Sequence, residues 1–443
     1  MKIFILTSDL PCRAHGREHV TALHIVTREI IVELARTHQI ILQIILPLSR
    51  KTKVFSDAEK KEVDDLLRCG VTVLSPIFPD AYRPLKGPKS FRTLSLLLRP
   101  SECLKHFYPA SQLHTLMRSR IEKAKADIVF PLWSVDGTAA TEGCEIPRMV
   151  YQGDIDFEPR LCQFLDRDFF GADSNAGSSL RRWCAILDRR VRLWLFERTH
   201  LRLMRGVESI AHVSACNVEY YTRHGHPRSF YIGNTWSDPG KEKLFPAVQR
   251  SHASGQRTVR IIGHVGYLNR TGGAYGLRCL LQDVLPHLSS MLRDYPHEIH
   301  ILGGGRLLPS LIALTSFPHV LMRGFVEDLD SELAMNDVFL LLNNAGRYKA
   351  AYTRHLLAWS MGLCLVVHSG SRKAMPEIVH GENALVGSSG EEIAKLIVRA
   401  ATDPVLNRRI REGGRRTYEQ CFTPPRIAKR FSDECERMIK SSR

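Results

Sequence analysis

Val338–Gly387 reads VFLLLNNAGRYKAAYTRHLLAWSMGLCLVVHSGSRKAMPEIVHGENALVG. Val338–Leu342 is a short apolar run, the pattern of a strand buried on both faces. A polar, basic turn follows, and Thr353–Met361 is apolar at helical spacing. Gly362 stops that helix, as a glycine just past a helix end does. Leu363–Val367 is a second buried strand. Gly370–Lys373 then reads as a loop, with Pro376 placed to open a short helix. Strand, helix, strand is a βαβ unit of a parallel sheet, and such sheets bind ligands at the carboxyl ends of their strands. Those ends carry Arg347, Lys349, Arg354, Arg372 and Lys373, with no Asp or Glu between Asp337 and Glu377. A basic rim on a parallel sheet predicts a phosphate-bearing ligand.

The same pattern extends in both directions. Lys2–Ser8, Ile40–Pro47, Val71–Leu74, Ala126–Pro131, Pro147–Gln152, Ser209–Ser214 and Ser229–Gly233 read as strands, with helical segments such as Val20–Arg36 among them. Asp238–Gln256 has the composition of a linker. Thr258–His264, His297–Leu302 and His319–Met322 are further strands. Gly266, Gly272, Gly273 and Gly276 read as a glycine-rich loop before a helix at Leu277–Met291, and Gly303-Gly304-Gly305 repeats that arrangement. Two glycine turns leading into helices predict phosphate held on helix N-termini. Helices are expected at Glu391–Leu406, Asn407–Gln420 and Pro424–Lys440. The fold class is therefore α/β, with two doubly wound Rossmann-like domains. The expected organisation is one Rossmann-like domain over 1–238, a linker over 239–257, a second Rossmann-like domain over 258–422, and a helix over 423–443 that crosses back to the first domain; the resemblance given below implies that the first is the acceptor side and the second binds the nucleotide-sugar.

The chain has 443 residues and a net charge of +16. That charge suits nucleic acid, an anionic membrane surface or phosphorylated substrates. No recognition-helix or aromatic-platform motif accompanies it, so nucleic acid is not an expected partner. Eleven scattered cysteines without a C-x-x-C pair fit reduced thiols in a cytoplasm. No signal-peptide pattern and no long apolar stretch are visible. Two segments mix basic and apolar residues. Residues 81–107 hold six Lys/Arg against one acid, among leucines and aromatics. Leu180–Arg205 holds eight arginines and two acids, with Trp183 and Trp194. Each reads as a membrane-surface element or as something plainer: the first as a helical insertion whose Leu face packs on the core, the second as a solvated basic face around a core stripe. Near the N-terminus, Gly16 in the loop after the first strand would let a ligand approach the backbone. Asp154, in the turn Gly153-Asp154-Ile155-Asp156, is a functional carboxylate or a turn former.

Several motifs resemble those of the family-4 retaining glycosyltransferases. They are Gly263-x-x-Gly266-x-Leu268, Ile301-Leu302-Gly303-Gly304-Gly305, Arg323-Gly324-Phe325-Val326-Glu327-Asp328-Leu329, and the run from Met375-Pro376-Glu377-Ile378-Val379 through Gly381-Glu382-Asn383-Ala384-Leu385. His212-Val213-Ser214 and Gly233-Asn234 add thinner matches. The resemblance implies a GT-B fold, two domains facing across a cleft. It implies sugar transfer from a nucleotide-sugar to a glycan or lipid-linked acceptor, with retention and without a required metal or other cofactor. It also implies work at the cytoplasmic face of a membrane in polysaccharide biosynthesis. The donor-binding residues would be Gly266, Arg270, Gly303, Gly304, Arg354 and Glu377. Asp154 and His15 would serve catalysis, with Gly16 on the acceptor side. The sequence also departs from the family. Tyr267 and Gly272 stand where the family has Arg and Lys, and Lys349 and Leu357 stand where it has two glutamates. A GT-B protein that no longer catalyses, acting as a scaffold or partner, is the alternative.

Overall fold

The computed structural model describes residues 1–13, 21–46, 54–78, 89–171, 179–240 and 258–442, less 294, 313, 315 and 316. His15, Gly16 and most of the expected linker 239–257 lie outside the described residues. The chain divides into two compact units. Unit 1 takes Met1–Phe164, Asn175–Ile232 and Pro424–Arg443; unit 2 takes Leu165–Ser174 and Gly233–Thr423.

Unit 1 is built on β1 (Lys2–Thr7), β2 (Gln39–Ile44), β3 (Val71–Val73), β4 (Ile128–Pro131), β5 (Met149–Gln152), β6 (Ser209–His212) and β7 (Ser229–Tyr231). The order β3-β2-β1-β4 makes one parallel sheet and β5-β6-β7 another. They join between β4 and β5, where Val129 N–H donates to Pro147 O at 3.0 Å and Trp133 N–H to Tyr151 O at 2.8 Å. Ile, Val, Leu and Phe dominate β1, β2 and β4, which are almost wholly buried because both faces of that sheet are covered. The strand order reverses between β1 and β4.

The C-terminal helix Pro424–Ser442 packs on the helix Ala22–Ala35 of the same unit. Glu434 anchors it: its carboxylate accepts from Ser209 Oγ and from Arg228 Nε, each at 2.7 Å. Burial pushes that carboxyl up, but bonds from Arg228, Arg437 and Ser209 outweigh it and hold it at about 2.

Unit 2 has a six-stranded parallel sheet: β8 (Val259–Val265), β9 (His297–Leu302), β10 (Val320–Gly324), β11 (Val338–Leu341), β12 (Leu365–His368) and β13 (Leu385–Gly387). The order β10-β9-β8-β11-β12-β13 reverses between β8 and β11. The last strand has no counterpart in the sequence reading, because three residues are too few to show a period.

Four local expectations are corrected. Gly272, Gly273 and Gly276 are not loop residues; they lie in the helix Thr271–Arg278. Each meets a neighbour that a side chain would strike: a Cβ on Gly272 would sit 1.7 Å from Tyr352 Oη, and one on Gly273 would sit 2.4 Å from Tyr267 O. The chain then passes through a π-helical turn at Cys279–Val284 before Leu285–Met291. Pro376 does not open a helix: the short helix Ser371–Ala374 precedes it. Met375, the residue before the proline, is extended at φ −131°, as proline demands of its predecessor. The two helices after β13 meet at Asp403 rather than after Leu406. Asp403 caps the second, accepting from Val405 and Leu406 N–H, and Pro404 opens it. Leu165–Ser174 groups with unit 2 although it falls within 1–238. There Asp166 accepts from Arg347 Nε at 2.9 Å, and Phe169 stacks on Tyr275.

Candidate functional site

In unit 2 the strand order reverses between β8 and β11, and the carboxyl ends of those strands are the place where such sheets form a ligand crevice. β8 runs into Gly266, whose φ of +111° suits glycine. The loops after β8, β9 and β10 are tied by their backbones. Gly266 N–H donates to Leu302 O at 3.0 Å, Leu268 N–H to Gly304 O at 3.0 Å, and Gly303 N–H to Gly324 O at 2.7 Å. Gly303 has φ +132°, and a Cβ there would lie 2.0 Å from Gly266 O. Gly266 and Gly303 are thus fixed by each other. Gly304 faces open space, its nearest atom being Tyr267 Cε1 at 4.0 Å from an added Cβ.

Arg354 starts the helix Thr353–Ser360 and reaches back to β8. Its Nη1 donates to the Val265 carbonyl, and its guanidinium lies 5.1 Å over the Tyr352 ring. An added Cβ on Gly266 would sit 3.3 Å from Nη1. Burial lowers its pKa, and no carboxylate is paired with it among the described residues. Burial, and then the Arg354 charge, push neighbouring His264 down to about 3, so its imidazole is neutral. His264 Nε2 and Asn343 Nδ2 are buried there without a hydrogen-bond partner. A cation with no counter-ion beside unsatisfied polar atoms fits an anionic, oxygen-rich ligand.

Of the basic rim, Arg354 alone is seen at this crevice. Arg347 is committed to Asp166. Lys349 Nζ donates to the Asn344 and Gly346 carbonyls, so it stitches the turn after β11. Arg372 and Lys373 are exposed on the Ser371–Ala374 helix. Arg270 is exposed with its guanidinium 5.6 Å over the Tyr267 ring. Asn344 is used internally: its side chain bonds Ala350 O, Ala350 N–H and Ser371 Oγ. Glu377 is half-buried in the turn after Met375, and its carbonyl accepts from Asn383 Nδ2 at 2.7 Å. Asn383 Oδ1 also accepts from Val379 N–H, and its carbonyl takes Trp359 Nε1–H. That residue therefore shapes the whole Pro376–Asn383 loop. Leu357 is 6% exposed, inside the core.

In unit 1, Asp154 is exposed just beyond β5. Gly153 before it must be glycine, because a Cβ would fall 1.4 Å from Trp133 Nε1. The strongly perturbed carboxyls are its neighbours. Asp156 is pushed up to about 7 by burial, then by Asp136 and Asp154. Glu158 reaches about 7 by burial and then Asp154. Burial also raises Asp136, which follows β4. Behind them Tyr108 Oη and His200 Nδ1 lie 2.8 Å apart, and His200 Nε2 bonds Tyr221 Oη. Carboxyls that titrate near neutrality can take or give a proton at that pH. The quoted Gly153–Asp156 turn contained the signal for Asp156, but burial and the nearness of Asp136 are invisible in sequence.

Residues 259–403 match the family Glycosyl transferases group 1. No curated protein matches the sequence. Among solved structures, the sucrose-phosphate synthase of Thermosynechococcus elongatus is similar over 100% of both chains, at 12% identity and a TM-score of 0.59. HepE of Anabaena, solved in complex with UDP and glucose, is similar over 98% of this chain and 99% of its own, at 14% identity and 0.56. The lipopolysaccharide outer core galactosyltransferase WaaB is similar over 100% of both, at 14% and 0.55. The chain thus has the GT-B fold, and its residues 259–403 are similar to the glycosyl transferases of group 1.

Proposed function

We propose that the protein transfers a sugar from a nucleotide-sugar to a glycan or lipid-linked acceptor, with retention of configuration. The observation that carries this reading is Arg354, a half-buried cation with no carboxylate partner among the described residues, at the reversal point of the unit 2 sheet. In the transfer, the bond from the anomeric carbon to the diphosphate breaks and its electron pair passes to the phosphate oxygen. The acceptor oxygen bonds to the same face of that carbon, and its proton is taken up by the departing phosphate. The charge that must be stabilised develops on the diphosphate. A guanidinium already held beside Gly266 meets that charge without reorganising. Arg270 adds a second cation as its exposed side chain swings, and Gly304 leaves room for the phosphate to approach the backbone. Glu377 lies in the loop that would border the nucleotide.

The UDP of the HepE complex supports the donor class, and the similarity to a lipopolysaccharide outer core galactosyltransferase, WaaB, supports a glycan or lipid-linked acceptor. No disulfide joins the eleven cysteines, which fits a reducing compartment. Among the described residues no helix is long and apolar enough to cross a membrane.

Calorimetric titration with UDP, GDP and ADP tests the reading, and one of them is expected to bind. The second reading, a GT-B protein that has lost catalysis, is favoured by Lys349 and Leu357 standing where the glutamates are absent. Binding of none of the three nucleotides would select it.

A further inference from the structure

Unit 1 carries a surface that sugar transfer does not explain. The helix Ser179–Arg205 is 27 residues long. Its second half packs into the unit through Leu195, Phe196, Leu203 and Met204, all buried. Its first half does not: residues 180–185 are all exposed. Leu180, Trp183, Leu187 and Trp194 are 72%, 70%, 63% and 48% exposed. Their spacings of three, four and seven put them on one side of the helix. The helix Lys89–Leu98 lies against this one, with its Leu96 buried beside Leu195 and Val191. Its outward residues are Leu94, Leu97 and Leu98, the last 74% exposed.

The apolar stripe is set in positive charge. Lys89–Phe107 and Ser179–Arg205 together hold twelve Lys/Arg and three acids. Arg181, Arg182, Arg190 and Arg198 are exposed, and the Arg198 guanidinium lies 5.4 Å over the Trp194 ring. A soluble helix exposes its polar face and buries its apolar one. This one exposes tryptophan, leucine and arginine together, the composition of a helix lying in a lipid–water interface. Trp rings suit that interface because they pair an apolar body with one polar N–H. A second copy of the chain would bring the same sign of charge to the contact and be repelled.

We propose that the helices Lys89–Leu98 and Ser179–Arg205 dock unit 1 on an anionic membrane surface. Arginines meet lipid phosphates and the Leu/Trp stripe enters the headgroup region. The proposal rests on unit 1 alone and holds whether or not unit 2 transfers sugar. It places the acceptor, if lipid-linked, in the same membrane.

The experiment is co-sedimentation of the full chain with phosphatidylcholine vesicles, with and without phosphatidylglycerol. Binding to the mixed vesicles is expected, weakening with added salt, with a blue shift of tryptophan emission. Each arginine near anionic lipid raises affinity about fivefold, so Arg181→Gln, Arg182→Gln and Arg190→Gln together should weaken partitioning about a hundredfold. Trp183→Ser with Leu187→Ser should remove the blue shift. These side chains are exposed, and unchanged thermal unfolding of the variants checks their fold. Absent binding, equal binding to both vesicle types, or full binding by the arginine variant overturns the proposal. So does a wild-type dimer in light scattering that becomes monomeric in the Trp183→Ser variant.

Discussion

Replacing Arg354 by methionine separates a ligand-binding cation from a structural one. The substitution keeps most of the side-chain volume and removes the charge. In the unliganded protein it forfeits the bond to the Val265 carbonyl and the contact with the Tyr352 ring. A hydrogen bond from a charged group is worth about 1.5–3 kcal/mol. Against that stands the partial desolvation of a half-buried cation with no carboxylate partner among the described residues, a cost of the same order. The two offset, so unliganded Arg354→Met should be as stable as wild type or slightly more so. With ligand the balance changes. Losing one charge-assisted bond to a diphosphate weakens binding about 10–100-fold, since about 1.4 kcal/mol is a factor of ten. At a UDP concentration of about a hundred times Kd, wild type gains roughly 2.7 kcal/mol of stability. A variant with hundredfold weaker binding gains about 0.4 kcal/mol under the same conditions. Thermal unfolding with and without UDP, GDP or ADP, backed by calorimetry, reads both effects. A variant that is destabilised without ligand, or that binds as tightly as wild type, refutes the reasoning. The first outcome makes Arg354 a structural cation; the second removes it from any phosphate.

Other perturbations test other parts of the argument. Gly303→Ala places a Cβ against the Gly266 carbonyl at a left-handed φ and should cost about 3 kcal/mol by chemical denaturation. Gly304→Ala, in open space, should be nearly neutral and serves as its control. Glu434→Ala leaves Ser209 Oγ buried without its partner and two arginines without theirs; about 2–3 kcal/mol should be lost. The carboxyl of Glu434 is depressed to about 2, so its contribution is present above about pH 4.5 and fades as pH falls towards 2. Asp156 has the opposite sign. Its folded value of about 7 lies above the ordinary carboxyl range, so the fold favours the protonated form and stability falls as pH rises from about 4 to 7. Asp156→Asn should flatten that slope in thermal unfolding; an unchanged slope would show the carboxyl to be ordinary.

Strands were legible where Ile, Val, Leu or Phe ran together, because a parallel sheet covered by helices buries both faces of its central strands. Val338–Leu341 is such a case. Glycines were harder to place. Gly272, Gly273 and Gly276 look like chain breakers, yet their role is to let a helix lie against Tyr352, Tyr267 and Asn343. That requirement comes from residues up to 80 positions away and leaves no local trace. Charge was misread for a similar reason. The basic rim was visible, but which cations are already engaged depends on partners such as Asp166, 181 residues before Arg347. Asp156 lay two residues past Asp154 in the quoted turn. Only the fold shows that the nearer carboxylate is exposed while the farther one is half-buried close to Asp136.

Lys349 is built into the turn after β11. Its ammonium is held by the Asn344 and Gly346 carbonyls, and a Cβ on Gly370 would sit 2.8 Å from it. A glutamate at 349 would face two carbonyl oxygens, so Lys349→Glu would break the turn instead of restoring an acceptor. Leu357 is likewise packed in the core. What the loop offers instead is donors: the Asn343 amide and the Arg354 guanidinium. A sugar hydroxyl can accept as well as donate, so a donor can read the oxygen where a carboxylate would have read the proton. Phosphate oxygens only accept. A crevice richer in donors than in acceptors therefore gains on the phosphates and loses on the ribose. It should discriminate strongly for the diphosphate and weakly between ribose and deoxyribose.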